Sequence, residues 1–374
     1  MTTATVTKPL PILQAALAGL IVTAAIVFFN LWNQGHAAYN ATNLGIHWSF
    51  PIVVYDYFLL TSTGLAIGAT LSVAFGGESF RPLIKRAVWL ALAGLVGGVA
   101  VLALELGHPL RSMWAIPFSF AFESPLYWKV LCVMGYVVSL LILFSRLNKP
   151  DWSMQAVRGI ALVTLVFAMG VTIIAGVVYG SQSMRPFWAS GDIPIAFLVE
   201  SLLGGFAFII FFTYLAGGLN QSALSEDTRT LFTTKFPAMF ALAVFIHLLF
   251  VLARMTSGLY GNAEGLQVWQ HIVASPLFQF ELWIGLLLPL VLMLMPATRN
   301  SGPMQILAAV LVMIALLISR YEYIIGGQLV PLFKGAWAPA LLSYAPSATE
   351  WLLLLLAIFL ANAVNAFGER RFNL

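Results

Sequence analysis

Charge is scarce in this chain: Asp, Glu, Lys and Arg make up 9% of its 374 residues, where soluble domains carry about 25%. That shortage excludes a water-soluble fold. With 61% hydrophobic residues and a mean hydropathy of +0.94, it leaves a polytopic membrane protein bathed by the lipid bilayer. Cysteine is nearly absent. Cys132 alone excludes an intrachain disulfide, a Cys-x-x-Cys-His haem attachment and a cysteine-ligated iron–sulfur cluster. Metal centres delivering electrons to such a chain would have to sit on partner subunits. Histidine is sparse as well. Only His247 lies well inside a hydrophobic run, while His47, His108 and His271 cluster near one boundary. A deep b-type haem needs paired histidines at matched depth, so neither haem nor iron–sulfur cluster is expected in this chain. No basic cluster of the nucleic-acid kind occurs, and no phosphate-cradling glycine loop, zinc motif or nucleophile elbow appears in credible context.

What the chain has instead is long apolar runs of about 20 residues, the length that crosses a bilayer as a helix. Ten are predicted, near residues 10–32, 51–75, 83–106, 124–146, 156–180, 193–217, 231–255, 273–296, 303–325 and 347–367. The first is too long for a signal-peptide core and lacks a convincing cleavage site, so it reads as a retained helix. Basic residues set an orientation. Lys8, Arg81, Lys85, Arg86, Arg146, Lys149, Arg158, Arg229, Lys235, Arg299, Arg370 and Arg371 fall on the side of the termini. Arg111, Lys129, Arg185, Arg254, Arg320 and Lys334 fall opposite. Twelve against six places both termini in the cytoplasm of a bacterial inner membrane by the positive-inside rule. The periplasmic loops are then the longer ones, rich in Trp, Phe and Pro.

Two segments echo each other: Phe50-Pro-Ile-Val-Val-Tyr-Asp-Tyr-Phe-Leu-Leu60 and Ile193-Pro-Ile-Ala-Phe-Leu-Val-Glu-Ser-Leu-Leu203. A second pair, Ser124-Pro-Leu-Tyr-Trp128 and Ser275-Pro-Leu-Phe278, follows in the same order. Pairing span 2 with 6 and span 4 with 8 predicts two parallel four-helix bundles, spans 2–5 and 6–9, with spans 1 and 10 peripheral. The implied division is residues 1–45 (terminus, first span and loop), 46–182 (first bundle), 183–326 (second bundle) and 327–374 (loop, last span and terminus). Pro-Ile and Ser-Pro-Leu also occur at helix starts without any repeat.

Each echo carries one acid, Asp56 and Glu200. A carboxylate at the centre of a membrane helix costs about 2.5 kcal/mol or more on insertion scales, so intramembrane acids are functional by default. Around Asp56 stand His47, Trp48, Tyr55 and Tyr57 toward the mouth, and Thr61-Ser-Thr63 below. Asp56 and Thr63 share a face, and Gly64 and Gly68 form a small-residue contact stripe. The arrangement reads as a polar, aromatic-rimmed pocket with Asp56 as proton acceptor, or as a structural carboxylate bonded to neighbouring hydroxyls. Glu105, His108 and Arg111 share one edge if span 3 continues that far, suiting a proton exit, an anionic headgroup or a salt bridge. Glu200 is read as a proton carrier or the partner of a buried arginine. His247 is a proton-transfer candidate or a hydrogen-bonded core residue. Arg254 and Arg320, with Glu322, lie near span ends, where snorkelling is cheap.

Arg185-Pro-Phe-Trp188, the run Ile193–Gly205, Glu105-Leu-Gly-His-Pro-Leu-Arg111, Ser124-Pro-Leu-Tyr-Trp128 and Arg320-Tyr-Glu-Tyr-Ile-Ile-Gly-Gly-Gln328 together resemble the signature of the NrfD/PsrC family. These are membrane subunits of polysulfide reductase and related respiratory complexes. The ten-span length is similar to the branch with the hydrogenase-2 anchor and the alternative complex III subunits. The resemblance covers about residues 45–335. It implies a haem-free subunit binding a quinone or quinol (menaquinone or ubiquinone) near the periplasmic face. It also implies an iron–sulfur electron-transfer subunit and a periplasmic-side catalytic subunit as partners, this chain not being catalytic alone. Aligned on Gly64, Asp56 falls where polysulfide reductase has a polar quinone-site residue, whereas Leu59 falls at a second such position, a departure from the family pattern. The quinone pocket is therefore expected from His47, Tyr55, Asp56, His108 and Arg111, with Asp56 as acid–base group. Glu105, Glu200, His247 and Arg254 are expected in proton transfer or charge pairing. Two other classes fit the composition: a secondary transporter built from two parallel repeats, and a passive membrane anchor.

Overall fold

A computed structural model describes residues 10–42, 45–261, 265–332, 339–372 and 374. Lys8 and Lys334, two of the orienting charges, lie outside the described residues. Ten helices among those described are long and apolar enough to cross a membrane. They are α1 (Leu10–Gln34), α2 (Phe50–Ala74), α3 (Arg81–Glu105), α4 (Pro125–Leu147), α5 (Met154–Gly180), α6 (Ile193–Ala216), α7 (Phe236–Gly261), α8 (Pro276–Leu294), α9 (Gly302–Gly326) and α10 (Ala348–Arg371). An even number of crossings brings the start of α1 and the end of α10 to one side, called here the terminal side; the other is the distal side.

Prolines explain many of the starts. Pro51, Pro82, Pro125, Pro194 and Pro303 occupy the first turns of α2, α3, α4, α6 and α9, where the missing N–H costs nothing and the fixed φ suits a helix. The seventh span begins later than its hydropathy implies. Residues 226–234 form a separate polar helix, and α7 opens at Phe236-Pro237 and runs on to Gly261. The third span stops at Glu105, and a short helix restarts at Pro109 (Pro109–Ala115). Pro109 disfavours a helical conformation at the preceding residue, and His108 is indeed extended away from it (φ −137°, ψ 69°). The shared edge for Glu105, His108 and Arg111, conditional on a continuous helix, is therefore lost. Helix α8 contains a π-helical stretch, Phe280–Leu287, just before Pro289. The wider turn accommodates a proline ring that would clash with the carbonyl four residues back.

Helix contacts follow the same ring in each set of four: α2–α3–α4–α5 closing on α2, and α6–α7–α8–α9 closing on α6. The sets meet mainly through α2 against α6, with α5–α6 and α2–α9 flanking. Helix α10 lies on α3, and α1 on α10. Placement decides burial. Of the central window of α2, 83% is buried inside the protein, against 17% for α1. The exposed apolar side chains of α1, such as Ile21 and Phe29, form lipid-facing surface. With lipid as solvent, helices associate by close packing rather than by a hydrophobic drive, and the α2–α6 crossing shows it. A Cβ on Gly64 would fall 1.7 Å from the Ser201 carbonyl oxygen, and one on Gly205 2.7 Å from the Gly64 carbonyl carbon. Gly68, expected in the same contact, meets nothing within 4 Å.

Candidate functional site

Asp56 lies about 9 Å below the distal start of α2 at 1.5 Å per residue and is 0% exposed. A buried carboxylate persists as an anion only with partners. Lys129 Nζ, on α4, stands 3.1 Å from Oδ1, and the Tyr179 hydroxyl, on α5, donates to Oδ2 at 2.7 Å. Local sequence sets this up. Pro125 starts α4 so that Lys129 sits one turn inside, and Tyr179 occupies the last turn of α5. Lys129 is itself buried, with its ammonium 5.1 Å from the centre of the Tyr55 ring. Two turns below, the Thr172 hydroxyl donates to Thr63 at 2.8 Å. Asp56 and Thr63, and Tyr179 and Thr172, are each seven residues apart, so one polar seam joins α2 to α5.

An aromatic roof covers the seam. The Trp48 and Trp188 rings are stacked at 5.3 Å, and the Tyr179 ring meets both edge-on. Three chain segments are clamped to form it. Gln328 accepts from the backbone N–H groups of His47 and Trp48, both at 2.9 Å, and donates back to the Trp48 carbonyl at 2.8 Å. Arg185 donates to the carbonyls of Gly45 at 3.0 Å and Val330 at 3.1 Å. Burial draws its guanidinium somewhat below its ordinary pKa, and the carbonyl contacts replace lost water. Trp188 Nε1 donates to the Tyr323 carbonyl at 2.8 Å.

A second charge cluster adjoins the first. Glu200 on α6 and Arg320 on α9 form an ion pair, each about 9–11 Å from the distal end of its helix. Arg320 is 1% exposed, so it does not snorkel. Its guanidinium lies 3.9 Å over the Phe197 ring, which packs against Tyr179 and Tyr323 at 5.8 and 5.5 Å. Arg320 Nε and Nη1 and the Tyr323 hydroxyl are buried without a hydrogen-bond partner among the described residues. Arg254 sits 4.8 Å over the other side of this group, on the Tyr323 ring, and 3.9 Å from Asp192. His247 lies deeper, about 21 Å from the distal end of α7, buried and with both ring nitrogens unpartnered among the described residues. Glu281, in the π-helical stretch, is buried, and Glu322 accepts from Ser275 at 2.8 Å.

The structure thus gathers Tyr55, Asp56, Glu200 and Arg254 around one aromatic group and leaves other expected residues outside it. His47 contributes its backbone N–H, and its side chain is exposed. His108 and Arg111 are exposed beyond the break in α3. Glu105 faces Ser49 at 3.5 Å, at the limit of a hydrogen bond, and its backbone carbonyl contacts His36 at 2.7 Å. Sequence reasoning misses Lys129, Tyr179 and Glu281. Lys129 is legible, since a lysine one turn inside an apolar run is an intramembrane charge; counting it among the loop charges hides that. Tyr179 carries no such signal, because its role exists only through a partner 123 residues away.

A family model described as polysulphide reductase, NrfD, matches residues 39–332. A selenate reductase subunit of Mesobacillus selenatarsenatis is 22% identical, over 81% of this chain and 80% of its own length. A polysulfide reductase polypeptide of Wolinella succinogenes is 23% identical, over 75% of this chain and 94% of its own length. The Hdr-like menaquinol oxidoreductase integral membrane subunit of Archaeoglobus fulgidus is 22% identical, over 95% and 92%.

Proposed function

The chain belongs to the NrfD, polysulphide reductase, family, and from that premise we propose that it is the quinone-reactive membrane subunit of a respiratory oxidoreductase complex. Its distal face is periplasmic in this reading, in a bacterial inner membrane with both termini cytoplasmic. An iron–sulfur subunit docks over that face and connects to a catalytic subunit. The two rings of four helices, residues 46–182 and 183–326, are the two units of the subunit. A relative that bears menaquinol in its name favours menaquinol as the physiological partner.

The observation that carries the reading is Asp56, held by Lys129 and Tyr179 under the Trp48–Trp188 stack, beside donors of Arg320 and Tyr323 that have no partner among the described residues. Those residues fit a flat, dioxygenated ring. The indole faces favour an aromatic ring and exclude water from it. The free guanidinium N–H groups suit a carbonyl oxygen. Bound there, a quinol supplies two electrons and two protons. In this reading Asp56, paired with Lys129, accepts the proton, and the Tyr179 hydroxyl, which donates to Asp56, relays it there from the quinol. Glu200 supplies the counter-charge that holds Arg320 in place, and Arg254, His247 and Glu105 are the remaining candidates for moving protons away.

Quinol-dependent electron transfer by the purified complex tests this. Tyr179→Phe, which leaves the Asp56–Lys129 pair in place, is expected to lower the rate by about 100-fold or more with the subunits still associated. Wild-type rates in an assembled Tyr179→Phe complex would leave the chain a passive anchor and sink the assignment.

A further inference from the structure

On the terminal half of the molecule a lateral groove of about 310 Å³ runs between α2, α3, α6 and α7. It lies where the two four-helix rings part, beneath the α2–α6 crossing at Gly64 and Gly205. Its walls include Leu65, Ile84, Phe206 and Met239, and the one polar side chain in the lining, Ser72, turns its hydroxyl back to the Gly68 carbonyl at 2.9 Å. Gly68 keeps the slot open, since a Cβ there would meet nothing within 4 Å. Phe80 and Phe236, ring centres 6.2 Å apart, stand at the end nearest the terminal face. Just beyond them Lys235 is exposed, with Nζ 5.8 Å over the Phe80 ring and 2.9 Å from the Ser79 hydroxyl. No carboxylate pairs with it among the described residues.

We propose that this groove is a binding site for one acyl chain of an anionic phospholipid, whose phosphate is held by Lys235. An apolar slot within the spans does not recruit water, and the surrounding phase is hydrocarbon. A lysine at the membrane surface selects for anionic headgroups, and here it stands at the end of a slot that ends at that surface. The lipid fills the seam between the two helix rings on the side away from Asp56 and so props the helix that carries it. The site is independent of the proposed quinone chemistry.

Native mass spectrometry of the chain in its membrane complex, exchanged into nanodiscs of phosphatidylglycerol or phosphatidylcholine, tests the site. Wild type is expected to retain one phosphatidylglycerol in preference to phosphatidylcholine. Lys235→Glu should lower that preference about fivefold or more. Gly68→Leu, which fills the slot from within, should lose the bound lipid whatever its headgroup. Gly159→Leu, at an exposed glycine of α5 equally free of neighbours, should keep it. Equal retention of both lipids by wild type, or retention by Gly68→Leu at the wild-type level, would overturn the proposal. So would Gly68→Leu releasing quinone while phospholipid stays bound, which would assign the groove to an isoprenoid tail. Should Gly68→Leu fail to accumulate, the headgroup preference of wild type against Lys235→Glu decides.

Discussion

Asp56, Lys129 and Tyr179 come from three helices and meet where water does not reach. Each is costly alone. Removing one partner of a buried ion pair costs about 3–5 kcal/mol, because it leaves the other charge uncompensated, whereas replacing both is often nearly neutral. Lys129→Met is therefore expected to reduce the amount of folded complex sharply, and Asp56→Asn combined with Lys129→Met to recover most of it without recovering quinol activity. Thermal unfolding of the detergent-solubilised complex, followed alongside turnover, checks both halves. Recovery of activity in the double variant would remove Asp56 from the chemistry. The Glu200–Arg320 pair differs in kind: the guanidinium keeps two nitrogens without a partner among the described residues, so it has donors to spare, whereas both oxygens of Asp56 are engaged.

Among the helices, α2 is the element on which the others are arranged. It touches α3, α5 and α6 over long stretches, and its polar side chains from Asp56 to Thr70 are buried in protein rather than facing lipid. Ser62 donates to the Ala91 carbonyl at 2.7 Å and meets the Tyr136 hydroxyl at 2.8 Å, and Thr70 turns back on the Ala66 carbonyl at 2.7 Å. Two glycines one turn apart on this helix are expected to respond in opposite ways. Gly64→Ala drives a methyl group into the Ser201 carbonyl and should lower stability by about 1–3 kcal/mol through forced separation of α2 and α6. Gly68→Ala enters open space and should be neutral or stabilising by about 0.5–1 kcal/mol, the usual gain over glycine in a helix. Melting temperatures of the two variants decide. A Gly64→Ala protein as stable as wild type would mean that the helices are not in backbone contact there.

For the whole molecule, the distal roof ties together segments that belong to different parts of the fold: residues 45–48 before α2, Arg185 between α5 and α6, and residues 328–330 after α9. Arg185 and Gln328 are positioning residues in the proposed site, acting through Trp48 and Trp188. Arg185→Met deletes hydrogen bonds from a charged donor, each worth about 1.5 kcal/mol or more. It is expected to raise the KM for quinol about tenfold while kcat changes less, since the roof orients the ring and the acid–base groups stay in place. A fall in kcat at unchanged KM would place the arginine in a different role.

How much of this was legible depended on the physics that wrote each feature. The ten spans could be read because hydrocarbon demands runs of apolar residues, and the borders were set by prolines visible in the sequence. The exception, the late start of α7, came where Pro237 divided a run that hydropathy alone treats as continuous; α3 ended at Glu105, close to the expected border, so its conditional continuation to Arg111 did not form. Asp56 and Glu200 could be read because a carboxylate in a membrane is too costly to keep without a role. Gly64 could be read as a contact, but its neighbour Gly68 could not be told from it, since only the crossing angle decides which glycine meets α6. The partners were mostly not legible: a buried arginine was one reading for Glu200, though not which one, while the pairing of Lys129 and Tyr179 with Asp56 and of Gln328 with the backbone of Trp48 carried no signal. The sequence by itself determined which groups must be buried and roughly at what depth, because burial in lipid is a property of each helix and its composition. Which of those groups meet was decided by the tertiary structure, because charges in a low-dielectric interior are stabilised by direct contact, and contact between residues 73 to 280 positions apart exists only once the helices have packed.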